Sequence, residues 1–265
     1  MKWSAGLGIA LLWGWGALAA AAELHLYAGA GLREPVEAVV SAFEKQSGHR
    51  VTVEYGGSGQ LLTRINLTHA GDLFLPGSAD YVERLRAQGR VSFSAPLVLH
   101  TPVMVVRRDT GAQVETLAQL AQSPLRIGMG DPHAIALGRS GDALLEASGY
   151  GQALRSRVVV QATTIKQLLL YVLNGDVDAA VIGRADAMRH RDRLRLLPTP
   201  PGVPQEVATI AVLQGSDQAA AARALAEYFA SPRGSARLPI AAICRWRSSV
   251  RCARWRCCPC CCCWH

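Results

Sequence analysis

The sequence predicts an α/β fold of two lobes joined by a hinge. Three observations point to it. Between residues 23 and 232, strand-like runs alternate with amphipathic helical stretches. One arrangement occurs four times, twice before residue 80 and twice after residue 125: a strand, a turn of small or hydroxyl-bearing residues, then a helix. Between the two pairs lies a long β-rich stretch, "PLVLHTPVMVVRRD", and after the second pair come a proline-rich link, "LPTPPGVP", and one more strand, "EVATIAVLQ". The chain therefore crosses from one lobe to the other and returns. Lobe 1 takes residues 23–100 and 206–235, and lobe 2 takes residues 101–205. Each is expected to hold a mixed, mostly parallel sheet flanked by helices. About 210 residues suffice for two such cores.

The first strand is "LHLYA". The helix after it sets Val36, Val39, Val40 and Phe43 on one face, at i, i+3, i+4 and i+7. Pro35 falls in its first turn, where a missing N–H costs nothing, and Gly48 ends it. The second strand, "VTVEY", runs into "GGSG" and a helix, "QLLTRINLTH". The third unit is "LRIGMGDPHAIALGRSGDALLEASG", a strand, a Gly-Asp-Pro turn, a loop and a helix closed by Gly149. In the fourth, "RVVVQATTIKQLLLYVLNG", the strand ends in Thr163-Thr164 and the helix carries Leu168, Leu169, Tyr171 and Val172; a further strand, "VDAAVIG", follows.

Both ends stand apart from this body. Residues 1–22 carry Lys2, then the apolar run "GLGIALLWGWGALAAAA" and small residues before Glu23, the layout of a secretory signal peptide cut after Ala22. All eight cysteines lie between Cys244 and Cys263. Zinc sites space their thiolates so that a loop can turn around the ion, and "RWRCCPCCCCWH" lacks that spacing. The arginine- and cysteine-rich tail, residues 236–265, reads as GC-rich DNA translated out of frame, with the break near residue 235. The charge fits the division. The chain has 28 basic and 20 acidic residues; setting aside Lys2 and the seven arginines from Arg233 to Arg256 leaves 20 basic against 20 acidic. A neutral body gives no sign of nucleic-acid binding.

The repeated strand–turn–helix unit directs the chemistry toward anions. Ligands of open parallel sheets sit outside the carboxyl ends of the strands, where helices begin. There the unpaired N–H groups and the partial positive charge of each helix face outward. Four such ends aimed at one cleft bind an anion with no charged side chain. A dinucleotide is not supported: after Gly29-Ala30-Gly31 the third glycine of the fingerprint is replaced by Glu34, and Glu54, in range for a ribose contact, leads at once into a second glycine turn. Catalysis is weakly supported. "GGSGQ" only partly matches the G-x-S-x-G nucleophile elbow, and His69, His100, His133 and His190 show no pairing with Ser58; most of them read as surface or turn residues. Asp131 reads as a turn residue, and "RADAMRHRDRLR" as a solvated helix face.

"YAGAGL", "VEYGGSGQLLTRI", "GDLFLPGSADYVE", "GDPHAIALG" and "GDVDAAVIG", in order over residues 23–233, resemble the periplasmic molybdate-binding proteins of ABC transporters. The resemblance implies a type II periplasmic-binding-protein fold whose two hinged lobes hold a bare tetrahedral oxyanion, molybdate or tungstate, with hydroxyls and backbone amides. It implies a periplasmic protein that acts as a monomer, performs no reaction, uses no cofactor or metal beyond the molybdenum of the oxyanion, and delivers its ligand to the permease subunits of a transporter. Carried over by position, the side-chain donor falls on Ser58, and backbone amides fall on Leu137 and Ile165, with Ala30 and Gly31 completing the first loop. The first-loop serine of the family falls on Gly31 and a contacting tyrosine on Gly183, so both hydroxyls are missing; Thr163, Thr164 and Arg184 are the candidates to replace them. The alternatives are a binding protein for sulfate or phosphate, and a serine hydrolase using Ser58. The second would require a base in hydrogen-bond reach of that residue.

Overall fold

The computed structural model describes residues 21–238. The expectations placed on residues 1–20 and 239–265, the leader and most of the cysteine-rich tail, lie outside the described residues.

Among the described residues, ten strands form two five-stranded mixed sheets with helices on both faces. The first sheet contains β1 (Glu23–Gly29), β2 (Arg50–Gly56), β3 (Leu73–Leu75), β4 (Val91–His100) and β10 (Glu206–Leu213); the second contains β5 (Pro102–Arg107), β6 (Ile127–Gly130), β7 (Val158–Ala162), β8 (Ala179–Gly183) and β9 (Leu194–Leu196). The orders are β2-β1-β3-β10-β4 and β7-β6-β8-β5-β9. The two orders match strand for strand. In each, two parallel pairs share a central strand, β1 or β6, and an antiparallel strand that has just arrived from the other lobe packs beside β3 or β8. That exchange of β5 and β10 makes the hinge a double crossing. One crossing is Thr101, between β4 and β5; the other is the segment between β9 and β10.

The helices begin where the strands end. A 3-10 turn (Ala30–Leu32) leads from β1 into α1 (Arg33–Ser47), α2 (Ser58–Thr68) follows β2, and α3 (Ala79–Ala87) follows β3. In lobe 2 come α4 (Leu117–Gln122), α5 (Ala136–Ala147), α6 (Gly151–Arg155), α7 (Ile165–Asn174) and α8 (Arg184–Arg189), and lobe 1 closes with α9 (Ala219–Ala230) and α10 (Pro232–Ser235). The expected apolar face of α1 is buried: Val36, Val39, Val40 and Phe43 pack against Leu24, Leu26 and Phe229. Gly48 and Gly175 end α1 and α7 in the left-handed conformation, at φ 76° and 90°, which glycine adopts without a Cβ penalty.

Two expectations need correction. The arginine-rich run 184–195 is not one solvated helix face. The helix stops at Arg189, Asp186 within it is 5% exposed, and Leu194 and Arg195 form β9. Packing also continues past residue 235. Leu238 is buried in the lobe 1 core with Phe229 and Leu225, and the N–H of Ala236 donates to the Pro232 carbonyl.

Candidate functional site

The first residues of four helical segments line one small cavity between the lobes. Ala30, Gly31 and Leu32 come from the 3-10 turn, Ser58 from α2, Ala136 and Leu137 from α5 and Ile165 from α7; Gly29, Gly56, Gly77, His100 and Ile135 complete the wall. The space is about 20 Å³. All five residues expected at the site, Ala30, Gly31, Ser58, Leu137 and Ile165, are on this wall, and no Lys, Arg, Asp or Glu is. Leu137 and Ile165 occupy the first two positions of their helices, where a backbone N–H has no intrahelical acceptor. Local sequence fixes each start. Gln60 accepts from the N–H of Gly57 at 3.3 Å, Thr164 Oγ1 accepts from the N–H of Gln167 at 3.1 Å, and Asp131 Oδ1 accepts from the N–H of His133 at 2.8 Å, making the turn that leads into α5.

Ser58 is buried at 4% exposure and does not cap its helix, for the cap residue is Gly57. Its Oγ instead accepts from the N–H of Gly77 at 3.1 Å. The hydroxyl proton remains free to be donated into the cavity. Thr164 is spent as a cap, and neither Thr163 nor Arg184 is on the wall, so none of the three replaces the hydroxyls absent at Gly31 and Gly183. Glu54 pairs with Arg64 at 3.0 Å and lies outside the cavity.

The glycines of the second loop serve the approach of the lobes. The N–H of Gly59 donates to the Ala134 carbonyl across the cleft at 2.9 Å. A Cβ on Gly57 would fall 2.5 Å from the Thr163 carbonyl oxygen, and one on Gly59 would collide with the His133 carbonyl oxygen. Ion pairs close the rim. Lys166 Nζ is 2.9 Å from Glu34 and 3.0 Å from Asp186, Arg189 is 3.0 Å from Asp186, and on the other side Arg139 is 3.1 Å from Asp80. Burial raises the Glu34 carboxyl, but the hydrogen bond and charge of Lys166 outweigh it and hold Glu34 below the usual carboxylate range.

His100 is the wall residue that sequence reasoning missed. It ends β4, directly before the crossing at Thr101, and no local motif marks it. The residue keeps some exposure, but its Nδ1 is shielded from solvent and has no hydrogen-bond partner. Burial pulls its pKa down to about 4; Asp186 and the Gly77 backbone oppose this, and Lys166 adds to it. Ser58 and His100 share the cavity without a hydrogen bond between them. Among the described residues no group of three His, Cys, Asp or Glu is placed to hold a metal ion. A larger hollow of about 740 Å³ opens on the outer face between Ala38, Lys45, Tyr228 and Arg237. It is lined by α1, α9 and the chain around α10 and includes no strand end, so size alone does not locate the site.

A family model described as bacterial extracellular solute-binding protein matches residues 24–239. The chain belongs to this family. The solute-binding protein is 50% identical over 214 residues to a Haemophilus influenzae protein named only as a binding protein, covering 81% of this chain and 87% of that one. Its fold superposes on the periplasmic molybdate-binding protein of Azotobacter vinelandii with a TM-score of 0.74, at 18% identity over 84% of this chain and 100% of that one. The sulfate-binding protein of Mycobacterium tuberculosis superposes with a TM-score of 0.72, at 16% identity over 84% and 86%. These likenesses establish the type II fold. Solute-binding proteins of this kind work with ABC transporter permeases. No helix among the described residues is long and apolar enough to cross a membrane.

Proposed function

We propose that this solute-binding protein captures molybdate or tungstate in the periplasm and delivers it to the permease of an ABC transporter. One observation carries the reading: a small, partly open cavity lined by the starts of four helical segments and by Ser58, and by no charged side chain. Such a wall supplies N–H and O–H donors with a partial positive charge. It suits an anion whose oxygens all accept hydrogen bonds, and it disfavours a cation. Hydrogen bonds to a charged group contribute roughly 1.5–3 kcal/mol each, so a few of them, after association costs, reach about −8 kcal/mol, micromolar binding. Capture works by hinge closure. The lobes meet through Gly59 and Ala134 and through Lys166 and Glu34, which completes the ring of donors. No bond in the ligand is made or broken.

A sulfate reading is favoured by the similar superposition on a sulfate-binding protein, since sulfate presents the same four acceptors on a smaller frame. Melting curves with molybdate, tungstate, sulfate and phosphate decide between them. At a ligand concentration of about 100 times its dissociation constant, the cognate anion stabilises by roughly 2.7 kcal/mol. Molybdate and tungstate are expected to raise the melting temperature, and sulfate and phosphate to leave it unchanged at equal concentration. A larger shift with sulfate moves the assignment to sulfate. No shift with any of the four removes the oxyanion reading.

A further inference from the structure

We propose that the His100 imidazole is a direct ligand of the bound oxyanion, taking the place of the two missing hydroxyls, and that it makes capture proton-linked. The inference rests on the oxyanion reading and deepens it.

Three glycines from both lobes surround the ring. A Cβ built on Gly77 would lie 3.4 Å from Nδ1, one on Gly31 would lie 3.6 Å from Cε1, and one on Gly183 would lie 2.9 Å from Nε2. Gly31 and Gly183 are the two positions where the resemblance placed a serine and a tyrosine. The imidazole therefore fills the space next to both. Gly31 has no room for a serine in any case, since its Cβ would fall 2.5 Å from Ile165 Cγ2. The ring thus stands beside both positions that lack a hydroxyl, where β4 enters the hinge.

A buried polar nitrogen without a partner costs free energy, and native structures keep few of them. Nδ1 is such an atom, and it belongs to a ring that lines the cavity where the helix starts gather. It lies close to the Gly77 backbone, which favours the protonated ring, but outside hydrogen-bonding geometry. An anion oxygen in the cavity would satisfy it.

The charges around the ring set the sign of the coupling. Asp186 of α8 and Lys166 of α7 act on it with opposite effect, and they are tied to each other and, through Lys166 and Arg189, to Glu34 of α1. The 3-10 turn, the Gly77 loop and the start of α5 present only uncharged groups to it. With the acidic and basic neighbours already paired, the ligand's charge dominates. In the free protein the ring is neutral at neutral pH, its pKa lying near 4. A dianion in contact favours the imidazolium and raises that pKa. Binding then takes up a proton and tightens as pH falls, by at most about tenfold per pH unit for one proton.

The experiment is calorimetric titration of molybdate and tungstate at pH 5.5, 6.5, 7.5 and 8.5, in two buffers of different ionisation enthalpy. The full chain is compared with His100→Ala and His100→Asn, and the melting of each ligand-free protein is recorded. The parent is expected to bind more tightly at low pH and to take up a fraction of a proton. His100→Ala should lose about 10- to 100-fold in affinity at pH 6.5. His100→Asn keeps an amide near the Nδ1 position, so it should retain part of the affinity with a flat pH profile; it also keeps the proposal testable if the alanine variant folds poorly. A parent whose affinity is flat from pH 5.5 to 8.5, or folded variants with the parent's affinity and pH profile, would overturn the proposal while leaving the oxyanion reading intact. A parent that binds no tetrahedral oxyanion removes that reading, and the role of His100 falls with it.

Discussion

The Ser58 hydroxyl can accept and donate, and its accepting capacity is already committed to the N–H of Gly77. Its role in stability and its role in binding are therefore separate quantities. Ser58→Ala leaves a buried N–H unpaired, which costs roughly 1–3 kcal/mol of stability in the ligand-free protein. It also removes one donor to the ligand, which costs about 10- to 100-fold in affinity. Both losses are expected, read by melting curves without ligand and by oxyanion titration. A lowered melting point with the parent's affinity would make Ser58 a brace for the Gly77 loop and nothing more. His100 gives the matching pH dependence. Its folded pKa, about 4, lies below its ordinary value of 6.5, so below pH 6.5 the unfolded chain binds more protons than the folded one. This part of the stability is complete above pH 6.5 and is lost as pH falls toward 4, at a total cost of about 3 kcal/mol. The ligand-free parent should therefore lose more stability between pH 7.5 and 5 than His100→Asn does; equal losses would show that the ring is not held neutral.

At the scale of elements, the strand–turn–helix units do two jobs. In the proposed capture their helix starts supply donors, and their glycines let one lobe's loops touch the other's carbonyls. Gly59→Ala separates the jobs. Alanine is a better helix residue than glycine, and in the separated lobes nothing opposes it. In contact with lobe 2 its Cβ collides with the His133 carbonyl oxygen. Ligand-free melting should be nearly unchanged, while affinity falls by about tenfold or more, the cost of 1–3 kcal/mol typical of an overpacked contact. Parent-like affinity in Gly59→Ala would show that the lobes need not approach so closely. The sequence made one of these jobs legible and hid the other. Periodicity and turn residues located the helix starts, because those signals are local: Val36 to Phe43 marked a buried face, and Thr163-Thr164 marked the turn before α7. The function of Gly57 and Gly59 was not legible, because it depends on carbonyls at residues 133, 134 and 163. His100 was hidden for the same reason. Its partners are glycines 31, 77 and 183, brought together only when the sheets are built. Gly57 holds the cap position of α2, so the Ser58 side chain is free to reach Gly77.

Across the whole molecule, lobe 1 completes its sheet only with β10, from a segment that has crossed the hinge and returned, whereas lobe 2 builds its sheet from the continuous stretch 102–196. Lobe 1 receives β10 late, and everything after it packs back on that lobe: α9 buries Ala222, Leu225, Ala226 and Phe229, and α10 turns the chain so that Leu238 enters the same core. The useful end of the chain is thus set by packing. It falls at or after Leu238, a few residues beyond where the change in composition suggested. The family match, which runs to residue 239, agrees with this position. Burying a leucine side chain contributes about 1.5–3 kcal/mol, and the turn at Ala236 to Leu238 adds backbone hydrogen bonds to Pro232, Gly234 and Ser235. A chain ending at residue 235 should therefore melt several degrees below one ending at residue 239, at about 2–4 °C per kcal/mol for a protein of this size. The chain ending at 239 should melt no lower than the full 265 residues, because the cysteine-rich stretch lacks both an apolar period and spaced metal ligands. Melting curves of the three chains under reducing conditions, with and without zinc, test both halves. Equal melting of the chains ending at 235 and 239 would take Leu238 out of the core. Higher melting of the full chain, or a rise with stoichiometric zinc, would give the last 26 residues a structural role and end the frameshift reading of the tail.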